Sequence, residues 1–282
     1  VATFATSDQL LVIIDPAARQ TDAESVRIAK DVLSAGAATK VCLPEGPEEF
    51  ARALGRRGSR RPVLIGDDRT LVRAVTLLHR QRELARCALA VVPVGRTALA
   101  ESLGVPSGAV AAARAVLDGT ERRLDLLVDD SDGVVLGALG IPSAPVREPA
   151  APVPLSPGRS WYRSLVRLGA RPARLAAVPS PGATRLRVEV DGEPVVDLDQ
   201  PVEAVSVAPG PGGVASVEVR PLSVGAEATP LLASGRTVTV TGADFRYRAD
   251  ATVCGPVRRR TWRVMESAWA LTLPATGPAT DI

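Results

Sequence analysis

Residues 62–70 read Pro-Val-Leu-Ile-Gly-Asp-Asp-Arg-Thr, an apolar strand that runs into a small acidic turn and then into a helical pattern from Leu71. A short buried strand that ends in Gly-Asp and opens a helix sets backbone N–H groups where they can meet a phosphate. A second turn between a strand and a helix follows at Val91-Val92-Pro93-Val94-Gly95-Arg96-Thr97, and a third, Asp15-Pro16-Ala17-Ala18-Arg19, closes the apolar run Leu10 to Ile14. The chemistry these residue types suggest is phosphate handling. Other chemistries are poorly served: His79 is the single histidine, which comes close to excluding His-based metal sites and leaves one residue alone to serve any Ser-His-Asp triad, and no Gly-x-x-x-x-Gly-Lys-[Ser/Thr] loop occurs.

The elements that must position these turns alternate. Leu10–Ile14, Thr39–Leu43, Val63–Ile65 and Ala88–Val92 read as strands buried on both faces. Between them, Thr21–Ala35, Pro47–Leu54 and Leu71–Leu84 carry helical spacing, with Thr21 or Asp22 as a cap and Gly36 as a stop. Helices are predicted again at Thr97–Leu103 and Ala109–Leu117. Strands alternating with helices imply a parallel sheet whose ligands bind beyond the carboxyl ends of its strands, where all three turns gather. From Leu124 the pattern changes. Leu124–Val128 and Val134–Leu139 read as strands, a Pro/Ala-rich loop (Ile141–Pro157) leads to a helix at Trp161–Leu168, and from Thr184 the apolar period is two. The expected fold class is α/β plus β. Residues 1–128 form a doubly wound parallel α/β domain, and residues 129–282 an antiparallel, β-sandwich-like domain.

Bulk properties bound the partners. The chain has 282 residues with 46% hydrophobic but only 3% aromatic content, so its core must be built from Val, Leu and Ala. Lys30 and Lys40 are the only lysines, and a net charge of +3 is too small to argue for nucleic acid. Cys42, Cys87 and Cys254 lie far apart with no Cys-x-x-Cys pair, which suggests reduced thiols. With no long apolar segment and no signal-peptide pattern, the expected location is the cytoplasm, with peripheral membrane contact kept as an alternative.

The order of these segments resembles the diacylglycerol kinase-like lipid kinases, which share their fold more distantly with NAD kinases. Asp15-Pro16 stands where that family has Asn-Pro-x-Ser-Gly, Gly66-Asp67-Asp68-Arg69-Thr70 where it has Gly-Gly-Asp-Gly-Thr, and Gly95-Arg96-Thr97 where it has Pro-x-Gly-Thr-x-Asn-Asp. Arg122-Arg123-x-Asp125-Leu126 then precedes the β-rich half. The resemblance implies that Asp15, Pro16, Gly66, Asp67, Asp68, Arg69, Thr70, Gly95, Arg96 and Thr97 are the nucleotide-binding positions. It further implies ATP and Mg²⁺ as cofactors of an active member, with a lipid hydroxyl as acceptor.

Several positions depart from the family pattern. Asp15 offers only acceptors where an amide would donate, although it can equally begin a turn. Asp67 and Arg69 replace glycines. A carboxylate about 4 Å from a phosphate costs roughly 4 kcal/mol at an effective dielectric near 20, comparable with the whole binding energy of a ligand with a dissociation constant of about 1 mM. Ala98 and Leu99 stand where the Asn-Asp pair should be. The family's general base lies in an Asp-Gly-Glu near the C-terminus, and two segments compete for it. Val190-Asp191-Gly192-Glu193 has the letters, but precedes most of the strands and reads as a hairpin turn. Ala249-Asp250-Ala251-Thr252 has the position, which makes Asp250 and Thr252 the catalytic candidates, with a threonine where a carboxylate is required. Strand alternation puts Arg258, Arg260 and Trp262 on one face, so that Arg258 and Arg260 would contact an anion or lipid headgroup; the alternative is solvated surface. No metal ligands are assigned.

The preferred reading is a diacylglycerol kinase-like protein with degenerate ATP and catalytic motifs, a non-catalytic regulator that binds a nucleotide, a lipid or a protein partner. An active ATP-dependent lipid kinase is the alternative, and a basic DNA-binding regulator a further one.

Overall fold

The computed structural model describes residues 9–142, 184–222 and 229–275. Strand β1 (Gln9–Ile14) is buried from Leu10 onward, as its unbroken apolar run requires. It pairs in parallel with β2 (Ala38–Cys42) on one side and β3 (Arg61–Gly66) on the other, and β3 pairs with β4 (Ala88–Pro93). The order β2-β1-β3-β4 reverses direction between β1 and β3. Right-handed crossovers therefore put the β1–β2 helix on one face and the β2–β3 and β3–β4 helices on the other, while the chain after β4 returns to the first face with its last helix. The packing agrees: α2 (Ala23–Gly36) lies against α6 (Ala109–Asp118), whereas α3 (Pro47–Gly55) and α5 (Ala98–Ser102) lie against α4 (Asp68–Arg80).

Local chemistry sets the helix starts. A short helix α1 (Pro16–Thr21), absent from the sequence reading, precedes α2 because Asp15 caps it through Ala17 N and Pro16 occupies its first turn. Asp22 then caps α2 through Ser25 N. Helix α4 starts earlier than predicted, at Asp68, because Asp67 is its cap, and it ends at Arg80. His79, near the end of α4, is largely covered, with a side-chain exposure of 17% and Nε2 3.9 Å from Asp132.

The remaining strands pair antiparallel with one another: β5 (Thr120–Asp129), β6 (Val134–Val135), β7 (Leu139–Ile141), β8 (Thr184–Val190), β9 (Glu193–Val196), β10 (Pro201–Gly210), β11 (Val214–Pro221), β12 (Leu231–Gly235), β13 (Thr237–Ala249) and β14 (Thr252–Leu273). Asp191 and Gly192 take positive φ (52° and 89°) between β8 and β9, the hairpin turn their sequence indicated. The expected strand Val134–Leu139 is broken into β6 and β7, with residues 136–138 left outside any ladder. The expected helix at Trp161–Leu168 falls outside the described residues.

Two hydrophobic clusters share the central strands. Leu126 and Val134 face the cluster of the parallel layer, while their neighbours Leu127 and Val135 face the cluster of the β layer, the two-residue alternation of a strand with a core on each side. Strand β14 serves both in turn. Trp262 sits in the β-layer cluster, and Trp269, Leu271 and Leu273 sit in the parallel-layer cluster. The end of β14 pairs with β4 in parallel, at Ala270↔Ala88 and Leu271↔Leu89. The sequence boundary at 128/129 is therefore crossed again in space by the last strand.

Candidate functional site

The carboxyl ends of β1, β3 and β4 lie side by side and are stitched together. Asp15 N donates to Ile65 O at 2.9 Å, Val94 N to Gly66 O at 2.9 Å, and Asp68 N to Arg96 O at 2.8 Å. Gly95 makes the β4 turn at φ +100°, a conformation that disfavours any side chain. The three turns are thus one assembly. Beside it opens a cleft of about 750 Å³, lined from the parallel layer by residues including Asp68, Arg69, Arg96 and Leu99, and from the β layer by residues 136–140, Pro209, Arg248 and Asp250.

The carboxylates of this assembly face inward. Asp15 Oδ1 accepts from Ala17 N at 2.8 Å, and its Oδ2 accepts from the Thr70 hydroxyl at 3.0 Å with Arg73 Nη1 3.7 Å away. Asp67 Oδ1 accepts from Thr70 N at 3.0 Å and from Thr70 Oγ1 at 3.1 Å. Asp67 is therefore a helix cap, turned to its own helix. Asp68, six percent exposed, reaches across to α5, where its two oxygens accept from Leu99 N and Ala100 N at 3.0 Å each. Two of the otherwise unpaired N–H groups at the start of that helix are satisfied in this way.

Asp250 repeats the arrangement from the opposite wall. It occupies a two-residue turn between β13 and β14 at φ +48°. Its carboxylate accepts from Leu136 N (2.8 Å), Gly137 N (2.8 Å) and Ala138 N (3.1 Å), and these bonds are what break the strand between β6 and β7. Gly137 is required for the approach, since a Cβ there would stand 2.7 Å from Leu99 Cδ1 and 3.2 Å from Asp250 Oδ1. Burial pushes the carboxyl pKa values of Asp68 and Asp250 above the usual range, against the pull of these N–H donors, and the charge of Asp68 raises Asp250 further.

Of the sequence candidates, Asp68, Arg69, Arg96 and Asp250 line the cleft. Asp15, Pro16, Gly66, Asp67, Thr70, Gly95 and Thr97 shape it from behind and are not among its lining residues. Thr252 is exposed at the start of β14 and also lies outside the lining. Arg258 and Arg260 are engaged elsewhere. Arg258 Nε pairs with Asp244 at 3.0 Å, and Arg260 Nη1 pairs with Asp130 at 2.5 Å, with Ser131 and Asp129 beside it. Sequence reasoning missed Arg248 and the 136–140 segment. The glycines at 137 and 140 were the available signal for the segment, but nothing local marks the residues that approach it.

No protein-family model matches the sequence, and no curated protein matches it. Solved structures do match. A candidate diacylglycerol kinase from Bacillus anthracis str. Sterne superposes with a TM-score of 0.69 at 12% identity, covering 95% of this chain and 98% of that one. Another structure of a diacylglycerol kinase from the same organism gives 0.68 at 13% identity, covering 98% and 99%. Identity this low speaks for the backbone arrangement alone, and nearly the whole of both chains takes part in it. The chain therefore has the diacylglycerol kinase-like fold.

Proposed function

We propose that this protein binds a ligand in the cleft between its parallel and β layers and does not transfer a phosphoryl group. One observation carries the reading: the two cleft carboxylates, Asp68 and Asp250, are turned onto five backbone N–H groups of the protein itself. Phosphoryl transfer depends on positioned carboxylates, metal and backbone donors. Here donors and acceptors satisfy each other, which serves the architecture rather than a reaction. Magnesium ATP does not suit this donor set. The Asp68 and Asp250 oxygens are already engaged, Thr70 N and Asp68 N are bonded within the turns, and Thr252 supplies no carboxylate. The ligand classes that remain are a lipid, a nucleotide held without metal, or a protein partner, with peripheral membrane contact in the lipid case.

The test is a radiolabelled ATP assay with Mg²⁺ against mixed lipid hydroxyls. Transfer is expected to equal that of an Asp68→Ala control. A signal that disappears in the control overturns the reading.

The placement of Asp250 favours a second reading, an active lipid kinase. It lines the cleft, opposes Asp68 and has a raised pKa, as a general base does. In that case the lipid hydroxyl would give its proton to Asp250, and Asp250→Asn would abolish a transfer that the native protein performs.

A further inference from the structure

We infer that the molecule carries a second ligand site, apart from the cleft, where Arg259 and Arg263 take the two ends of a small dianion, a bisphosphate or a dicarboxylate. The site is independent of whether the cleft binds or catalyses. A cavity of about 760 Å³ opens where the C-terminal end of α4 meets the β5–β6 turn and strands β8, β13 and β14. It shares no lining residue with the cleft. His79 lines the cavity and Asp68 the cleft, about 16 Å apart along the same helix.

The floor of the cavity is the outward face of the β layer. Val238, Val240 and Trp262 turn into the β-layer cluster, so alternation turns Thr237, Thr239, Thr261 and Arg263 the other way. Thr237 stands opposite Arg263, Thr239 opposite Thr261, and Thr241 opposite Arg259. The hydroxyls of Thr239 and Thr261 lie 3.0 Å apart, midway between the two arginines. Arg259 and Arg263 are about 13 Å from each other along the strand. Neither has a hydrogen bond or ion pair with another described residue. Their neighbours do: Arg258 pairs with Asp244 and Arg260 with Asp130. Two free guanidinium groups with hydroxyls between them match oxyanions at both ends of a short polar chain.

Four acidic residues also line the cavity, and three are already answered. Asp129 accepts from Ser131 N, Gly133 N and the Tyr247 hydroxyl, Asp130 pairs with Arg260, and Glu189 pairs with Arg187. The fourth, Asp132, is 77% exposed beside His79, where solvent and salt screen its charge. No aromatic ring is present for a nucleotide base to stack on.

Calorimetric titrations with fructose 1,6-bisphosphate and with adipate test the site and separate the two sources of its chemistry; inorganic phosphate and acetate supply single anions. At least one dianion is expected to bind, and more tightly than either single anion. Arg259→Ala and Arg263→Ala should each weaken it about tenfold and the double variant about a hundredfold, one factor of ten for each lost charge-assisted contact. Arg69→Ala, in the cleft, and Arg258→Ala should bind as the native protein does. Binding of neither dianion overturns the site, and equal binding of inorganic phosphate or acetate overturns its two-ended character. Unchanged affinity in a double variant with native circular dichroism overturns the arginines. Loss of affinity in Arg69→Ala instead would move the ligand to the cleft and overturn the inference.

Discussion

Asp67 and Asp68 are adjacent acids with different partners, and the difference is measurable. Asp67 caps its own helix, a role worth about 1 kcal/mol. Asp68 satisfies two buried N–H groups, and leaving these unpaired costs about 1–3 kcal/mol apiece. Chemical denaturation should therefore show Asp68→Ala losing about 3 kcal/mol and Asp67→Ala about 1; the reverse order would refute the assignment of caps. The pH dependence follows from the raised carboxyl pKa values. With folded pKa values above the ordinary 3.8, the folded protein holds more protons than the unfolded chain as pH climbs past that value. The stability these groups contribute is complete below it and is lost as pH rises through the raised values. The stability of the native protein minus that of Asp250→Asn should fall across that window, and a difference that grows with pH would contradict the burial of Asp250. At this scale the sequence singled out Asp68, Arg69, Arg96 and Asp250, and the fold brings these four to the wall of one cleft. The capping role of Asp67 was not legible, because a carboxylate after a strand reads the same whether it points to a ligand or to its own helix.

Among the elements, β5 and β14 hold the two layers together. Asp125, noted in the sequence as part of Arg-Arg-x-Asp-Leu, accepts from Gly213 N at 2.9 Å and from Ser267 N at 2.7 Å. It ties β5 to the β10–β11 turn and to the irregular stretch of β14 between Met265 and Trp269. Asp125→Ala should cost about 2 kcal/mol by the same loss of N–H acceptors, read as a lower denaturation midpoint. An unchanged midpoint would mean that water replaces the carboxylate. Most elements were legible because their period is local. Leu10–Ile14 and Val63–Ile65 could only be buried strands, and Leu186, Val188 and Val190 alternate as a half-buried strand must. The break between β6 and β7 was not legible, because the group that causes it, Asp250, lies 114 residues away from Leu136.

For the molecule as a whole, the course of β14 makes the layers interdependent. Trp269 is fully buried in the parallel-layer cluster although it lies near the C-terminus, and Trp262 is fully buried in the other. Trp269→Ala should destabilise by about 4 kcal/mol, the usual result of emptying a large core position. Because one strand threads both clusters, calorimetry should show a single unfolding transition in the native protein. Two separated transitions would show that the layers unfold independently.

The alternation of apolar strands and capped helices, the later change to a two-residue period, and the three glycine- and aspartate-bearing turns are properties of short stretches, and the order of residues alone determined them. Local propensity cannot say where a carboxylate finds its donor, nor which arginines share a cavity. The tertiary structure decided that Asp68 and Asp250 are answered by N–H groups from distant segments, and that Arg248 rather than Arg258 or Arg260 joins Arg69 and Arg96. Hydrogen bonds and ion pairs are made between whichever groups the packed core brings within reach, and that proximity exists only after the chain has closed.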